Sequence, residues 1–318
     1  MSGNRVRHSD HVLKTIQSDR AAAQSAVAAS WCRSAYRHGL DPATHRRRDR
    51  VENTGLIERR QANETLLAAA NPVLDNLFNN VGRSGCCVIL SDIDGIVLES
   101  RATAGERALF DAMGLAAGAE WSEQAEGTNG IGTCLIEGRP VAILRHEHFS
   151  SRNVDISCMD APVFGPDGRL VAALDVSTGR PEHGSELAGM ILALVQDAAR
   201  QIERDYFCQH YAQARIVYAG DEKTAGSALL AVDKDDLVIG ATRAARARYG
   251  LGMSGLTAPR PLGDVMGMAD PVGLDAHEAK ALRQALARCD GNVSAAAREL
   301  GIGRATMYRR MERLGLLG

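Results

Sequence analysis

Apolar positions change their spacing several times along the chain, and each change marks a different kind of element. Helical spacing comes first: the Ala-rich stretch 21–36 (AAAQSAVAASWCRSAY) reads as one helix, stopped by Gly39 and the Asp41-Pro42 pair. A second helix is predicted over 57–79, with Pro72 breaking or kinking it. From Cys86 the period shortens, and CCVIL, the turn SDIDG and IVLES read as strand, turn and strand. Helical spacing returns over 104–113 and 129–137, followed by strand-like segments at 139–145 and 157–164, the turn GPDGR at 165–169 and the strand LVAALDVS. A long amphipathic segment then places Leu187, Met190, Ile191, Leu194, Ala198, Ile202 and Tyr206 on one side at spacings of three and four. Mixed strands with flanking helices imply an α+β domain over 81–210, preceded by a helical segment over 1–80. The block 227–251 repeats strand, turn, strand and helix on a smaller scale, within a piece bounded at 222–262, and a Gly-, Pro- and Met-rich linker follows at 263–274.

The last residues, 275–318, carry the most specific pattern. A helix over 275–288 (DAHEAKALRQALAR) stops at Cys289-Asp290-Gly291, and a second helix, VSAAAREL, is capped by Asn292, whose side chain can accept a free helical N–H. Gly301 supplies a tight turn, and a third helix over 303–314 places Met307, Met311 and Leu314 at i, i+4 and i+7 as anchors. Ala296 and Ala297 are small enough for close helix crossing. This is a helix-turn-helix layout, with Ala305, Thr306, Arg309 and Arg313 left on the outer face beside Arg304, Tyr308 and Arg310. Arginine can bond a guanine edge through two hydrogen bonds, threonine can touch a base or phosphate, and an arginine near the helix start can grip phosphate. A cationic solvated face explains an isolated Arg-rich helix as well. Here the cap, the turn glycine and the buried anchors coincide, which favours DNA. One such unit makes a small interface, so a homodimer reading two half-sites is expected.

Charge first seems to contradict this, because 37 Lys+Arg against 39 Asp+Glu leave the chain at -2. Its distribution removes the contradiction: residues 1–60 hold 12 basic and 6 acidic side chains, residues 61–276 hold 17 and 29, and residues 277–318 hold 8 and 4. An acidic middle lies between two basic ends. The 318-residue length and 45% hydrophobic content allow two or three globular domains. Apolar runs fall short of the roughly 20 residues of a membrane span, and the polar N-terminus has no secretory h-region, so a cytoplasmic protein without membrane contact is expected. The cysteines (Cys32, Cys86, Cys87, Cys134, Cys158, Cys208 and Cys289) form no CxxC pair or zinc cluster, so neither a disulfide framework nor a metal or other cofactor is expected.

The terminal stretch NVSAAARELGIGRATMYRRMERLGL resembles the Fis-type helix-turn-helix that ends many bacterial enhancer-binding activators. Carried over position by position, that resemblance places DNA contacts on Arg304, Thr306, Tyr308 and Arg309, with Arg310 as a phosphate contact and Arg313 on the same face. Upstream, SWCRSAYRHGLDP, EGTNGIGTCLIEGRPVAI, EHF and APVFGPDGRLVAALDVS resemble the leading segment and GAF sensor domain of the acetoin-catabolism regulator (AcoR-like) family, over most of residues 27–210. SALLAVDKDDLVIGATRAARARYGL is similar, more weakly, to a short PAS-like piece. The implied fold class is an α+β GAF-like sensor domain followed by a small all-α Fis-type helix-turn-helix domain. Full-length members carry an ATPase module between sensor and reader. No GxxxxGK[ST] sequence occurs here, and roughly 60 residues separate the two regions, so action by recruitment, by repression or through a partner such as RNA polymerase or a full-length activator is expected.

The GAF resemblance implies a cup for a small-molecule effector such as acetoin, an alcohol or an aromatic. Trp121, Thr128, Asn129, Cys134, His146, His148 and Phe149 offer apolar walls with a few polar groups. Asn129 is better explained as the cap of the following helix, and Trp121 as core. His146 and His148 would share one face of an extended strand but lack a third metal ligand. Cys86-Cys87 reads as buried apolar packing, with a redox switch as the minority reading, and for HRRRDR at 45–50 a solvated loop or accessory phosphate contact stands level with specific DNA binding. The helix 185–206 also suits a dimer seam. No GxSxG, phosphate loop or HExxH marks an enzyme. The leading expectation is therefore a metabolite-sensing, DNA-binding transcriptional regulator; the alternatives are an architectural Fis-like protein and a redox-responsive regulator using cysteines.

Overall fold

The computed structural model describes residues 2–18, 20–44, 48, 50–220, 227–252, 259–268 and 273–316. It divides into two units, Met1–Pro259 and Arg260–Gly318.

Unit 1 opens with α1 (Ser2–Ile16), α2 (Ala21–Gln24) and α3 (Ala26–Cys32), the last continuing as a π turn over Arg33–Arg37. The single helix expected over 21–36 is interrupted at Ser25, whose extended backbone and side chain cap α3 through the Ala28 amide. α4 (Asn53–Ala62) and α5 (Glu64–Val81) follow. The break expected at Pro72 lies instead at Asn63, and α5 runs through Pro72. Packing outweighs the proline: Leu66, Ala70, Val73, Leu74, Leu77 and Val81 bury a continuous stripe of α5, each large side chain contributing roughly 1.5–3 kcal/mol.

The sheet comprises β1 (Cys86–Asp92), β2 (Val97–Arg101), β3 (Val141–Leu144), β4 (Ser157–Phe164) and β5 (Leu170–Thr178), in the order β2-β1-β5-β4-β3 with every pair antiparallel. Between β2 and β3 run α6 (Arg107–Met113), α7 (Glu123–Glu126) and α8 (Gly130–Glu137); after β5 comes α9 (Ser185–His210). Alternation along the strands separates two cores. Val88, Leu90, Met159, Ala161, Leu174 and Val176 meet α5 and α9 on one face. On the other, Cys87, Ile89, Cys158 and Ala173 meet Trp121, Ile131 and Cys134. Cys86 and Cys87 thus point to opposite faces, and burial pushes the Cys86 thiol up to about 11 and Cys87 well above its ordinary value, as expected for inert apolar packing.

The stripe expected on α9 divides: Ile191, Ala198 and Ile202 are buried within the unit, while Met190 and Leu194 stay 67% and 42% exposed. Beyond α9, β6 (Arg215–Tyr218), β7 (Leu229–Val232) and β8 (Leu237–Ala241) pair antiparallel, followed by α10 (Arg243–Tyr249). Phe207 of α9 packs on Leu229 and Ala231. β6 has no counterpart among the expected elements. Of the basic run 45–50, residues 45–47 and 49 lie outside the described residues, as do 222–226 and 253–258 of the small piece and 269–272 of the expected linker.

Unit 2 contains α11 (Leu262–Met266), which begins at the last residue of the expected PAS-like piece and runs into the expected linker, then α12 (Leu274–Arg288), α13 (Val293–Glu299) and α14 (Arg304–Arg313). Leu282, Ala285, Ala296, Ala297, Met307 and Met311 form their shared core. Asn292 caps α13 by accepting from the Ala295 amide at 3.1 Å, and Gly301 turns the chain at φ +66 before α14.

Candidate sensor site and DNA interface

With Met307 and Met311 buried, the remaining side chains of α14 are fixed in direction. Arg304, Tyr308, Arg309, Arg310 and Arg313 are exposed, and Thr306 is half-buried. These arginines are not equivalent. Arg310 pairs with Glu278 at 2.9 Å, and Arg313 donates to Asp275 at 2.6 Å and pairs with Glu278. Both are therefore tied to α12. The Arg304 guanidinium lies 5.6 Å from the Tyr308 ring centre, and Arg309 has no ion pair among the described residues. Helix α14 thus offers two uncommitted cations, an aromatic hydroxyl and a threonine on an outward face.

In unit 1 the sensor candidates gather around the start of α8, and most of their polar groups are already used. Asn129 caps α8 by accepting from the Gly132 amide at 2.9 Å. Trp121 donates from Nε1 to the Gly114 carbonyl at 2.7 Å, with Arg48 stacked 4.7 Å over its ring. The Thr128 hydroxyl is 2.8 Å from that of Ser30 on α3, and Ser30 donates to Glu123 Oε1 at 2.5 Å. Arg33 also reaches Glu123, at 3.0 Å, while Arg48, Arg152 and Asn153 converge on Glu126. Two buried α7 carboxylates therefore fasten the N-terminal segment to the sensor. Phe149 is buried in a neighbouring cluster with Trp31 and Val12.

His146 and His148 do not sit on an extended strand, because Arg145–Glu147 form a 3-10 turn. The His148 Nδ1 is 3.0 Å from the Arg145 carbonyl, which fixes it as the protonated nitrogen and leaves Nε2 to accept from the Cys158 thiol at 3.5 Å. Burial pulls His148 down to about 4. Cys134 is buried and its thiol pushed far up, chiefly by desolvation. Among the described residues no three His, Cys, Asp or Glu side chains could hold a metal ion.

The groups left free are two that the sequence pattern did not single out. Asp160 of β4 and Asp175 of β5 are direct register partners, both fully buried on the α8 face of the sheet. Asp175 Oδ2 accepts from Ser177 Oγ at 2.7 Å, whereas Asp175 Oδ1 and both Asp160 oxygens receive no donor from any other described residue, and the two carboxyls hydrogen-bond each other. Burial holds Asp160 well above the carboxylate range, reinforced by Asp175, and pushes Asp175 up to about 7. The signal was present: ISCMDAPVF and LVAALDVS each place one aspartate inside an apolar strand.

Two clefts also open on unit 1. One of about 870 Å³ is lined by Arg5, Arg48, Arg50, Arg152, Asp111 and Asp155. The other, of about 400 Å³, lies between β4, α9 and α10, where Arg243 stacks 3.9 Å over Phe164 and burial pushes Glu203 up to about 7.

Comparison with known proteins matches residues 2–204 to the family described as MimR, N-terminal domain, and residues 274–314 to the family described as bacterial regulatory protein, Fis family. The acetoin catabolism regulatory protein of Cupriavidus necator is 28% identical over 64% of this chain and 32% of its own length. The acetoin dehydrogenase operon transcriptional activator AcoR of Bacillus subtilis is 31% identical over 58% of this chain and 30% of its own. The propane 2-monooxygenase operon transcriptional activator MimR of Mycolicibacterium smegmatis is 32% identical over 62% and 34%. The chain thus spans about a third of the length of these relatives. The crystal structure of the E. coli DhaR(N)-DhaL complex shares the fold, with a TM-score of 0.52 at 14% identity over 75% of this chain and 80% of that one. No helix among the described residues is long and apolar enough to cross a membrane.

Proposed function

The chain belongs to the MimR N-terminal domain family, and from that membership we propose that it is a DNA-binding transcriptional regulator whose sensor responds to a small metabolite. The observation that carries this reading is one chain holding both a family sensor fold and a Fis-type helical unit whose α14 keeps Arg304 and Arg309 free of ion pairs among the described residues. In this proposal residues 81–210 sense, 222–262 form a PAS-like relay, 263–274 link, and 275–318 read DNA, behind an N-terminal helical segment over 1–80. Arg304, Thr306, Tyr308 and Arg309 contact DNA; Arg310 and Arg313 reinforce phosphate contacts from positions set by α12. The effector is a small metabolite of the kind named for the relatives, acetoin among them.

The protein works as a cytoplasmic homodimer, because one helical unit covers a single half-site. Ligand binding shifts the populations of two dimer arrangements and so the spacing of the reading helices. No GxxxxGK[ST] sequence occurs in the chain, and the proposal assigns it no enzymatic or ATP-driven step. Regulation then proceeds by recruitment of RNA polymerase, by repression, or through a full-length activator.

The test is fluorescence anisotropy of the full chain on a duplex recovered by selection from random DNA, with acetoin, small alcohols and aromatics added in turn. A saturable change in DNA affinity with at least one of them is expected. Sequence-specific binding that no metabolite alters would replace this reading with an architectural one.

A further inference from the structure

Strand β4 runs past its neighbour at one end of the sheet: the β3–β4 pairing stops at Val141 and Asp160, and no described strand pairs with residues 161–164 on that side. An unpaired strand end leaves amides and carbonyls that must find other partners or water. One donor is absent here and another is taken, since Pro162 has no N–H and the Phe164 amide donates to Glu203 Oε1 of α9 at 3.0 Å. Beside this end lies the cleft of about 400 Å³ between β4, α9 and α10, within the roughly 300–1,000 Å³ of small-ligand sites.

Its walls are apolar, and most of its polar groups are unspent. Pro140, Pro162, Ala199 and Ala247 present compact apolar surface. Arg243, the first residue of α10, sits 3.9 Å over the Phe164 ring and makes no hydrogen bond or ion pair among the described residues, so the ring holds the guanidinium in place with its N–H donors unused. The side chain of Gln196 likewise has no hydrogen-bond partner among the described residues. Arg200 is already tied to Asp197. Only the Phe164 amide donates to Glu203 among the described residues, and burial in this apolar setting pushes its carboxyl up to about 7. The charged groups facing Glu203 are Arg243 on α10 and Arg200 on its own helix, while β4 contributes backbone alone. With Asp197 answering Arg200, a protonated Glu203 leaves the charge of Arg243 unanswered.

We propose that this cleft is a second small-molecule site, separate from the residues around α8, which takes a carboxylate on a compact apolar body, with Arg243 and Gln196 donating to the carboxylate oxygens. It goes beyond the sensor reading, because neither the α8 residues nor DNA enters it. A guanidinium can give a carboxylate two parallel hydrogen bonds and a full opposite charge. An ammonium group would meet Arg243 and Arg200 as like charges, and a neutral hydroxyl would leave Arg243 unanswered. Glu203 makes the site pH-dependent: as the acid it can donate to the ligand, and as the carboxylate it repels it. Binding therefore takes up a proton at Glu203 and tightens as pH falls through about 7. Since α10 supplies Arg243 while β4 and α9 supply the rest, an occupied cleft also ties the small strand-and-helix piece to the sensor sheet.

Benzoate, benzyl alcohol and benzylamine share one ring and differ in the polar group, and each is titrated calorimetrically into the 318-residue chain at pH 6 and at pH 8. Benzoate is expected to bind saturably, at least about tenfold more tightly than the other two at pH 6, and about fivefold or more tighter at pH 6 than at pH 8. Arg243→Gln should weaken benzoate by at least about tenfold with the near-UV circular dichroism unchanged. Glu203→Gln keeps an acceptor for the Phe164 amide and a permanent neutral donor, so it should hold benzoate at the pH 6 affinity of the unaltered protein and lose the dependence on pH. That variant keeps the test decisive if Arg243→Gln loses its near-UV spectrum. Equal binding of benzoate and benzyl alcohol, benzoate binding undiminished in a folded Arg243→Gln, a pH dependence retained in Glu203→Gln, or no saturable benzoate binding overturns the site. Binding is read without DNA, so its failure leaves the sensor reading standing, and a chain whose DNA affinity no metabolite alters can still hold benzoate in the cleft.

Discussion

Arg313 of α14 donates to Asp275 of α12 at 2.6 Å, so the last arginine of α14 is held by the first long helix of its own unit. Arg309, one turn earlier, has no such tie among the described residues. Replacing each with alanine should therefore have different consequences. Arg309→Ala should lower specific affinity by roughly 1–3 kcal/mol for each base it no longer reads, with non-specific binding nearly unchanged. Arg313→Ala should weaken specific and non-specific binding together and flatten the dependence on salt. Anisotropy titrations on specific and scrambled duplexes at several salt concentrations distinguish them; equal losses in both variants would contradict the division.

Gly301 sets the turn before α14 at φ +66, with nothing within 4 Å of an added Cβ. The cost of Gly301→Ala is then backbone strain alone, roughly 1–2 kcal/mol, and Gly301→Asn should cost less because asparagine tolerates the left-handed region. Urea denaturation followed by helical circular dichroism checks the order. A fully tolerated alanine would show that the turn does not need this conformation.

Opposite pH dependences meet in the sensor. Asp160 and Asp175 have folded pKa values raised above their unfolded ones, Asp175 from 3.8 to about 7, so the folded state holds more protons and stability is lost as pH rises from about 4 through about 7. His148 is depressed from 6.5 to about 4, so its contribution is lost as pH falls from about 6.5 through about 4. The double variant Asp160→Asn/Asp175→Asn should gain about 1–4 kcal/mol at pH 8 and keep the acid-side loss. Thermal unfolding from pH 5 to 9 reads both limbs, and an alkaline limb identical to that of the unaltered protein would refute the assignment.

At the start of α8, Gly130→Ala forces a Cβ against Asp160 and Cys158, an overpacking worth roughly 1–3 kcal/mol. Shortening the partner in Gly130→Ala/Asp160→Ala should restore part of the loss. A double-mutant cycle in urea measures the coupling, and strict additivity would show that the two residues do not touch.

What was legible in the sequence followed from local rules. Asn292, Gly301, Met307 and Met311 act through cap chemistry, turn geometry and helical period, and these identify unit 2 without tertiary information. Strands β1 to β5, β7 and β8 were readable for the same reason, since apolar runs bounded by turns have few other readings, whereas β6 was not. Where neighbours decide, local rules failed. Pro72 breaks an isolated helix, but the buried stripe from Leu66 to Val81 carries α5 through it. Helix α1 is mostly polar and becomes an element because Val12, Ile16 and His8 pack inward. The sensor residues expected from polarity, Asn129, Thr128 and His148, are consumed by capping and hydrogen bonding, while the free acceptors lie in apolar strands, where only the register reveals that two aspartates meet.

The central claim, a metabolite sensor joined to a sequence reader, is tested most directly by in vitro selection from random duplex DNA with the 318-residue chain and its Arg309→Ala variant in parallel. The account predicts an enriched two-fold symmetric motif for the unaltered protein and loss of preference at one position of each half-site for the variant. An absence of any enriched motif, or the same motif at full strength from both proteins, would contradict it.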